Sequence, residues 1–212
     1  MFIVIDGPNG AGKTTLINKL SEKGYTTLSS PNGTPLAKML RPACRGAEPW
    51  EDIDKQIQFL LFSAARLDEY IRCVKDKEEV VIADRWWTST YVYQCILQGI
   101  SVDFMEYTKS PDEVIDLVII LTGDPEELAQ RVISEREKNP SHGQCTWTKE
   151  KDTMKKLGEI YINELPRYLN SRGIMNKIVN TSGKTQEEVQ KEIEAIIQVK
   201  KNIVVTPYKK QS

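Results

Sequence analysis

Met1-Phe2-Ile3-Val4-Ile5-Asp6-Gly7-Pro8-Asn9-Gly10-Ala11-Gly12-Lys13-Thr14-Thr15 is an apolar run that breaks into a glycine-rich turn and then into a helical pattern. Its reading decides the fold. Glycines let the backbone turn with its N–H groups pointing inward, so the turn can cradle an anion. Lys13 can reach the β- and γ-phosphates of a nucleotide, and the Thr14 hydroxyl is placed to ligate Mg²⁺. The helix beginning near Lys13 aims its positive end at the same charge. Gly7, Asn9, Gly10, Ala11, Gly12, Lys13, Thr14 and Thr15 are therefore the expected phosphate-binding residues, and nucleoside triphosphate binding is the implied property.

Outward from this turn, short β-rich runs alternate with long helical patterns, the signature of a parallel sheet wrapped by crossover helices. Strands are expected at 2–6, 25–29, 79–83, 115–121 and 174–179, and helices at 13–22, 35–43, 52–75, 87–98, 102–109, 125–136, 148–171 and 185–199. The first, third and fourth strands are nearly all apolar, as strands covered on both faces are, and should lie at the sheet centre. The expected fold is a three-layer α/β sandwich of about five parallel strands flanked by helices. Asp124-Pro125 reads as an acidic cap and first-turn proline, and Pro111 as a loop stop. Pro166 should kink or divide its long helix. A polar, breaker-rich segment over 137–147 reads as a short lid or a plain surface loop, and 201–212 as a solvated tail.

With 212 residues, 40% of them hydrophobic, the chain can bury a sizeable core and is expected to form one domain over 1–212. A net charge of −1 gives no general attraction for nucleic acid or acidic membranes. Cys44, Cys73, Cys95 and Cys145 are scattered without a C-x-x-C pair, so reduced thiols in the cytoplasm are expected rather than a zinc site or disulfide framework. The apolar start is cut short by Asp6, and no run reaches bilayer-spanning length.

A second anchor is Val80-Val81-Ile82-Ala83-Asp84-Arg85, where an acid leaves the C-terminal end of an apolar strand. In a parallel sheet that end lies beside the phosphate loop, so Asp84 can hold Mg²⁺ through water and Arg85 can grip a second phosphate. An Asp-Arg helix cap is the plainer reading of the same pair. The residues that follow favour the first. Asp84-Arg85-Trp86-Trp87-Thr88-Ser89-Thr90-Tyr91-Val92-Tyr93-Gln94 resembles the D-R-Y-x-x-S-x-x-A-Y-Q segment of thymidylate kinases. Leu60-Leu61-Phe62-Ser63-Ala64-Ala65-Arg66 is similar to that family's L-L-F-x-A-x-R helix, and Pro31-Asn32-Gly33-Thr34-Pro35-Leu36 with Arg41 to its P-G-G-T-x-L segment and following arginine.

The resemblance implies a P-loop kinase that moves a phosphoryl group from ATP to dTMP with Mg²⁺, working as a homodimer. It implies that Phe62 stacks on the pyrimidine, that Arg66 donates to a base carbonyl, and that Thr90 and Gln94 read the remaining base edge. Tyr93 would close the space near the sugar 2′ position, and Ser89 would help set the helix. Arg85, with Arg41, would hold the acceptor phosphate. Asn180 and Thr181 fall at the family's adenine-edge loop, and Arg131 at the lid entrance. Because the loop position is Gly10, the cation touching the transferring phosphoryl would come from the lid, with Arg136 first and Lys138 second. Lys13, Arg85 and Arg136 are thus the expected catalytic set, with Thr14 and Asp84 toward the metal.

The chain also departs from that pattern. Asn9 stands where the family usually has an Asp that contacts the acceptor 3′-hydroxyl, and Ser29-Ser30 replace an Arg-Glu pair. Trp86 takes the place of Tyr, and Gln144-Cys145-Thr146-Trp147 stands in for the usual lid run. These departures leave open a kinase of other or several deoxynucleoside monophosphates or of deoxynucleosides. A nucleotide-dependent switch without a small-molecule acceptor is the rival of another class, although it lacks an N-K-x-D guanine motif.

Overall fold

The computed structural model describes residues 1–110, 113–138 and 151–205, with the side chains of 136–138, 151–153, 204 and 205 outside that description. Five parallel strands, β1 (Phe2–Asp6), β2 (Thr26–Ser29), β3 (Val81–Asp84), β4 (Leu117–Thr122) and β5 (Asn176–Asn180), lie in the order β2-β3-β1-β4-β5. The three apolar strands are the central ones, as the patterning predicts. Every residue of β1, β3 and β4 is buried, whereas the edge strands β2 and β5 are partly exposed.

Alternation along the central strands feeds two cores. Ile3, Ile5, Ile82, Ile119 and Leu121 pack with Leu16, Ile17 and Leu20 of α1 (Lys13–Glu22) and with Val189, Ile193 and Ile197 of α9 (Gln186–Val205). Phe2, Val4, Ala83, Val118 and Ile120 pack on the other face with Phe59, Trp87, Tyr161, Leu165 and Leu169. Truncating Ile119, which is fully buried, to Ala would cost about 2–5 kcal/mol.

The helices contributing to the second core are α3 (Lys55–Glu69), α4 (Trp87–Thr90), α5 (Val102–Tyr107), α7 (Lys151–Glu159) and α8 (Leu165–Ser171); α2 (Pro35–Cys44) packs against α3, and α6 (Pro125–Lys138) follows β4. α3 starts at Lys55 rather than 52 because the Asp54 carboxylate caps it, accepting from Gln56 N at 2.8 Å. Among the described residues three helices widen into π-helical turns, over Tyr70–Val74, Tyr91–Leu97 and Ile160–Glu164. The last of these divides the segment expected as one helix. Pro166 sits in the first turn of α8 and has no N–H to return, so regular bonding stops ahead of it. α9 continues to Val205, past the residue-201 start expected for the tail. It meets no breaker until Pro207, and the residue before a proline is steered out of the helical region. Pro111, lid residues 139–147 and tail residues 206–212 lie outside the described residues.

The registers bring the chemistry to one edge. Ile5 pairs with Asp84, Ser29 pairs with Asp84, and Thr122 pairs with Asn180, so the C-terminal ends of all five strands open toward the same side.

Candidate active site

The loop between β1 and α1 is pressed against the sheet and α6. A Cβ on Gly7 would sit 2.2 Å from the Leu121 carbonyl oxygen, and one on Gly10 2.4 Å from that of Leu128. Gly10 and Gly12 also adopt left-handed φ values of +79° and +84°, which glycine takes without the clash a Cβ brings. Lys13 is folded into the turn, its Nζ donating to the carbonyls of Gly7 at 2.9 Å and Pro8 at 2.7 Å. Burial lowers the pKa of this ammonium to about 7, and Arg85 pushes the same way while Asp84 and Asp6 oppose it. Thr14 and Thr15 are exposed in the first turn of α1.

Arg85 bridges the phosphate loop and the helix after β3. Its Nη2 donates to Asn9 Oδ1 at 2.6 Å, and its Nη1 donates to Ser89 Oγ at 3.0 Å and more loosely to Asp6 Oδ1 and the Gly7 carbonyl at 3.4 Å each. The guanidinium carbon lies 5.7 Å from the Tyr93 ring centroid. This aim needs a φ of +67° at Arg85, a left-handed conformation that costs a non-glycine residue about 1–2 kcal/mol.

The group that organises this side is Asp6, read in the sequence only as the end of an apolar run. It is fully buried, and its carboxylate accepts from Gly7 N at 2.8 Å, from Ser89 Oγ at 2.8 Å, from Tyr161 OH at 3.0 Å and from Thr88 Oγ1. An acid closing an apolar strand just before a glycine loop was a usable signal, since Asp84 occupies the matching place on β3. Tyr161 carries no such signal. It arrives from a helix packed across the sheet, and helical periodicity marks it only as a core residue.

Asp84 supplies the fit for a cation. Its Oδ1 is buried without a hydrogen-bond partner among the described residues, and burial raises its pKa. A carboxylate oxygen with no donor suits a metal ion or metal-bound water. No group of three or more His, Cys, Asp or Glu side chains gathers for a metal among the described residues. An ion held here would therefore have to complete its ligand set with water and phosphate oxygens, as Mg²⁺ does.

α3 and the helix over 87–97 bring the expected base-reading residues together. Arg66 is buried and its Nη1 donates to Thr90 Oγ1 at 3.0 Å. Gln94 is buried and Tyr93 half-buried in the π-helical turn that continues α4. Phe62, one turn before Arg66, is half-buried and belongs to neither core cluster, leaving its ring available to a flat ligand. Arg41 flanks the site differently. Its Nη1 donates to the Pro31 carbonyl at 3.0 Å, which ties it to the loop after β2.

On the opposite flank Arg131 of α6 reaches the Gly10 carbonyl at 3.4 Å, Thr181 Oγ1 at 3.3 Å and the Thr181 carbonyl at 3.4 Å, while pairing with Glu127. Asn180 Oδ1 accepts from Ser182 N at 3.0 Å, and Thr181 is buried with its hydroxyl on the Thr122 carbonyl at 2.9 Å. Arg131 of α6 thus joins the glycine-rich loop to the end of β5, where Asn180 and Thr181 lie. Arg136 and Lys138 fall in the last turns of α6, their side chains outside the described residues.

The glycine-rich loop follows β1 and the buried Arg66–Thr90 pair involves the helix that follows β3, the neighbouring strand, and a family model for thymidylate kinase matches residues 5–193. The chain belongs to the thymidylate kinase family. The probable thymidylate kinase of Methanococcus aeolicus is 31% identical over 200 residues, covering 91% of this chain and 93% of that protein. The thymidylate kinase of Acinetobacter baylyi is 37% identical over 112 residues, 49% of this chain and 55% of that one. The crystal structure of a thymidylate kinase from Ehrlichia chaffeensis superposes with a TM-score of 0.65 at 21% identity, covering 93% of this chain and 98% of that one, a likeness in fold. This thymidylate kinase family member is accordingly a nucleoside monophosphate kinase.

Proposed function

We propose that this kinase transfers the γ-phosphoryl group of ATP to the 5′-phosphate of dTMP, giving dTDP and ADP, with Mg²⁺ held between Thr14 and Asp84. The observation that carries the reading is the buried Arg66–Thr90 pair at 3.0 Å, one residue along the helix from Ser89, which Arg85 contacts while also meeting Asn9. A fixed guanidinium donates to a keto oxygen, which thymine offers and the amino group of cytosine does not. Arg85 grips the acceptor phosphate, Phe62 covers the base, Thr90 and Gln94 read its remaining edge, Tyr93 closes the sugar 2′ side, and Ser89 helps set the helix. Lys13 leaves the loop carbonyls for the donor phosphates, whose charge restores its ammonium form. Arg131, Asn180 and Thr181 border the adenine, and Arg136 is the candidate cation for the transferring group. Positioning and charge neutralisation suffice for phosphoryl transfer, so no nucleophilic side chain is required. Mg²⁺ would neutralise the charge developing on the bridging and terminal phosphate oxygens.

Asn9 favours a second reading, a kinase of several deoxynucleoside monophosphates, because its Oδ1 is already committed to Arg85. The test is ADP formation from Mg²⁺-ATP with dTMP, dUMP, dCMP, dGMP, UMP and thymidine. Selective turnover of dTMP supports the first reading, spread turnover the second, and no acceptor-stimulated turnover a nucleotide-binding switch.

A homodimer accords with α3 and the π-helical turn that continues it, where Ile57, Leu60, Ala64, Leu67 and Ile71 are exposed at alternating spacings of three and four, the period of a helix–helix seam. Ile57→Glu with Ile71→Glu should yield a monomer in sedimentation velocity. Free Cys44, Cys73 and Cys95 accord with a reducing, cytoplasmic setting.

A further inference from the structure

The loop between β2 and α2 is held by a residue that the expected site did not contain. Glu69, the last residue of α3, is fully buried. Its Oε2 accepts from Ser30 Oγ at 2.6 Å, and its Oε1 accepts from the backbone N–H groups of Asn32 at 2.8 Å and Gly33 at 2.6 Å. From the other side Arg41 donates to the Pro31 carbonyl at 3.0 Å. The loop backbone is therefore clamped between an anion on α3 and a cation on α2. Its first residue lies at the reacting edge, with Ser30 N donating to the Asp84 carbonyl at 3.1 Å. Glu69 also stands one turn after Arg66 and supplies favourable charge to it and to Arg41.

We propose that Glu69 is a positioning residue for the acceptor nucleotide, its carboxylate supplying from α3 the anion that the family pattern carries on the loop at the position of Ser30. The inference rests on the acceptor site proposed above. A buried carboxylate with three donors from one loop is a costly way merely to fill space, since an apolar side chain of similar volume is often as stable. What the carboxylate adds is a fixed loop path. Gly33 shows how close that path runs, because a Cβ there would meet Leu28 Cδ1 at 2.0 Å and Glu69 Oε1 at 3.2 Å. With the loop released, Arg41 loses its anchor and the acceptor pocket loses a wall. The donor site, across β1, keeps its own contacts.

The test compares steady-state constants for both substrates, together with dTMP binding by calorimetry without ATP. Glu69→Leu is expected to raise KM and Kd for dTMP about tenfold or more, the loss of one strong hydrogen bond or greater. KM for ATP should stay within about twofold and kcat within about threefold. Glu69→Gln, which keeps an acceptor for the loop N–H groups, should recover most of the loss. Ser30→Glu in the Glu69→Leu background should also recover it by returning the acid to the loop. If Glu69→Leu folds poorly, Ser30→Ala removes a single bond and should raise KM for dTMP about threefold with ATP unaffected. Unchanged dTMP constants would overturn the proposal, as would equal losses for both substrates that neither Glu69→Gln nor Ser30→Glu repairs. Wild-type enzyme that ignores dTMP would instead sink the acceptor assignment, and the wild-type control in the same assay separates the two failures.

Discussion

Removing the Arg85 side chain tests the acceptor-phosphate assignment and the strain at that position together. The guanidinium can present two charge-assisted hydrogen bonds to a phosphate, each worth about 1.5–3 kcal/mol. Part of that gain is returned on binding, because Nη1 and Nη2 already donate to Ser89 Oγ at 3.0 Å and Asn9 Oδ1 at 2.6 Å. A net loss of about 3–4 kcal/mol corresponds to a fall in kcat/KM for dTMP of about 10²–10³. The fold should tolerate the change, since Asp6 keeps donors from Gly7 N, Thr88, Ser89 and Tyr161. Two variants separate the effects. Arg85→Ala and Arg85→Gly should lose activity alike, but the glycine variant should be more stable by about 1 kcal/mol because only it takes a φ of +67° without penalty. Coupled ADP release across dTMP concentrations, with thermal melts of both proteins, gives the numbers. Near-normal turnover and dTMP affinity in either variant would refute the assignment, and equal melting temperatures would refute the strain argument.

Three further predictions concern charge. Lys13, with its pKa lowered to about 7, binds fewer protons folded than unfolded between about pH 7 and its ordinary 10.5. On its account the ligand-free protein gains stability as pH rises through that window. ATP binding at pH 8 should then take up most of one proton, read by calorimetry in buffers of different ionisation enthalpy, and Lys13→Met should abolish the uptake. Asp84→Asn should raise the Mg²⁺ concentration for half-maximal activity about tenfold or more while leaving the ligand-free melting temperature equal or higher, because burial already opposes its charge. A lower melting point with unchanged Mg²⁺ dependence would mean a structural carboxylate. Arg136→Ala should lower turnover about 10²-fold with KM for ATP largely retained, since a lid cation acts most strongly in the transition state. Unchanged turnover would move that role to Lys138.

The local features of the site were legible. The glycine loop, the strand-ending Asp84-Arg85 and the α3 segment carrying Phe62 and Arg66 are patterns within a dozen residues, and the structure brings them to one sheet edge. Asp6 was visible in kind but not in role, because nothing in its neighbours reveals that Thr88, Ser89 and Tyr161 converge on it. Glu69 stood three residues after a recognised arginine, which suggests an ion pair on the helix. Its actual donors come from Ser30, Asn32 and Gly33.

By itself the sequence determined the order and kind of the elements, the centrality of β1, β3 and β4, and the glycine-rich turn between β1 and α1. Hydrophobic periodicity, glycine backbone freedom and strand-end acids act over short stretches of chain. Only the tertiary structure decided which polar groups are spent on one another. The Asp6–Tyr161 bond joins residues 155 apart, Arg85–Asn9 joins residues 76 apart, and Arg66 meets Thr90 across 24. Such partners are chosen when strands and helices pack and exclude water, so that each buried charge must find the donors or acceptors that the fold, rather than the neighbouring sequence, places beside it.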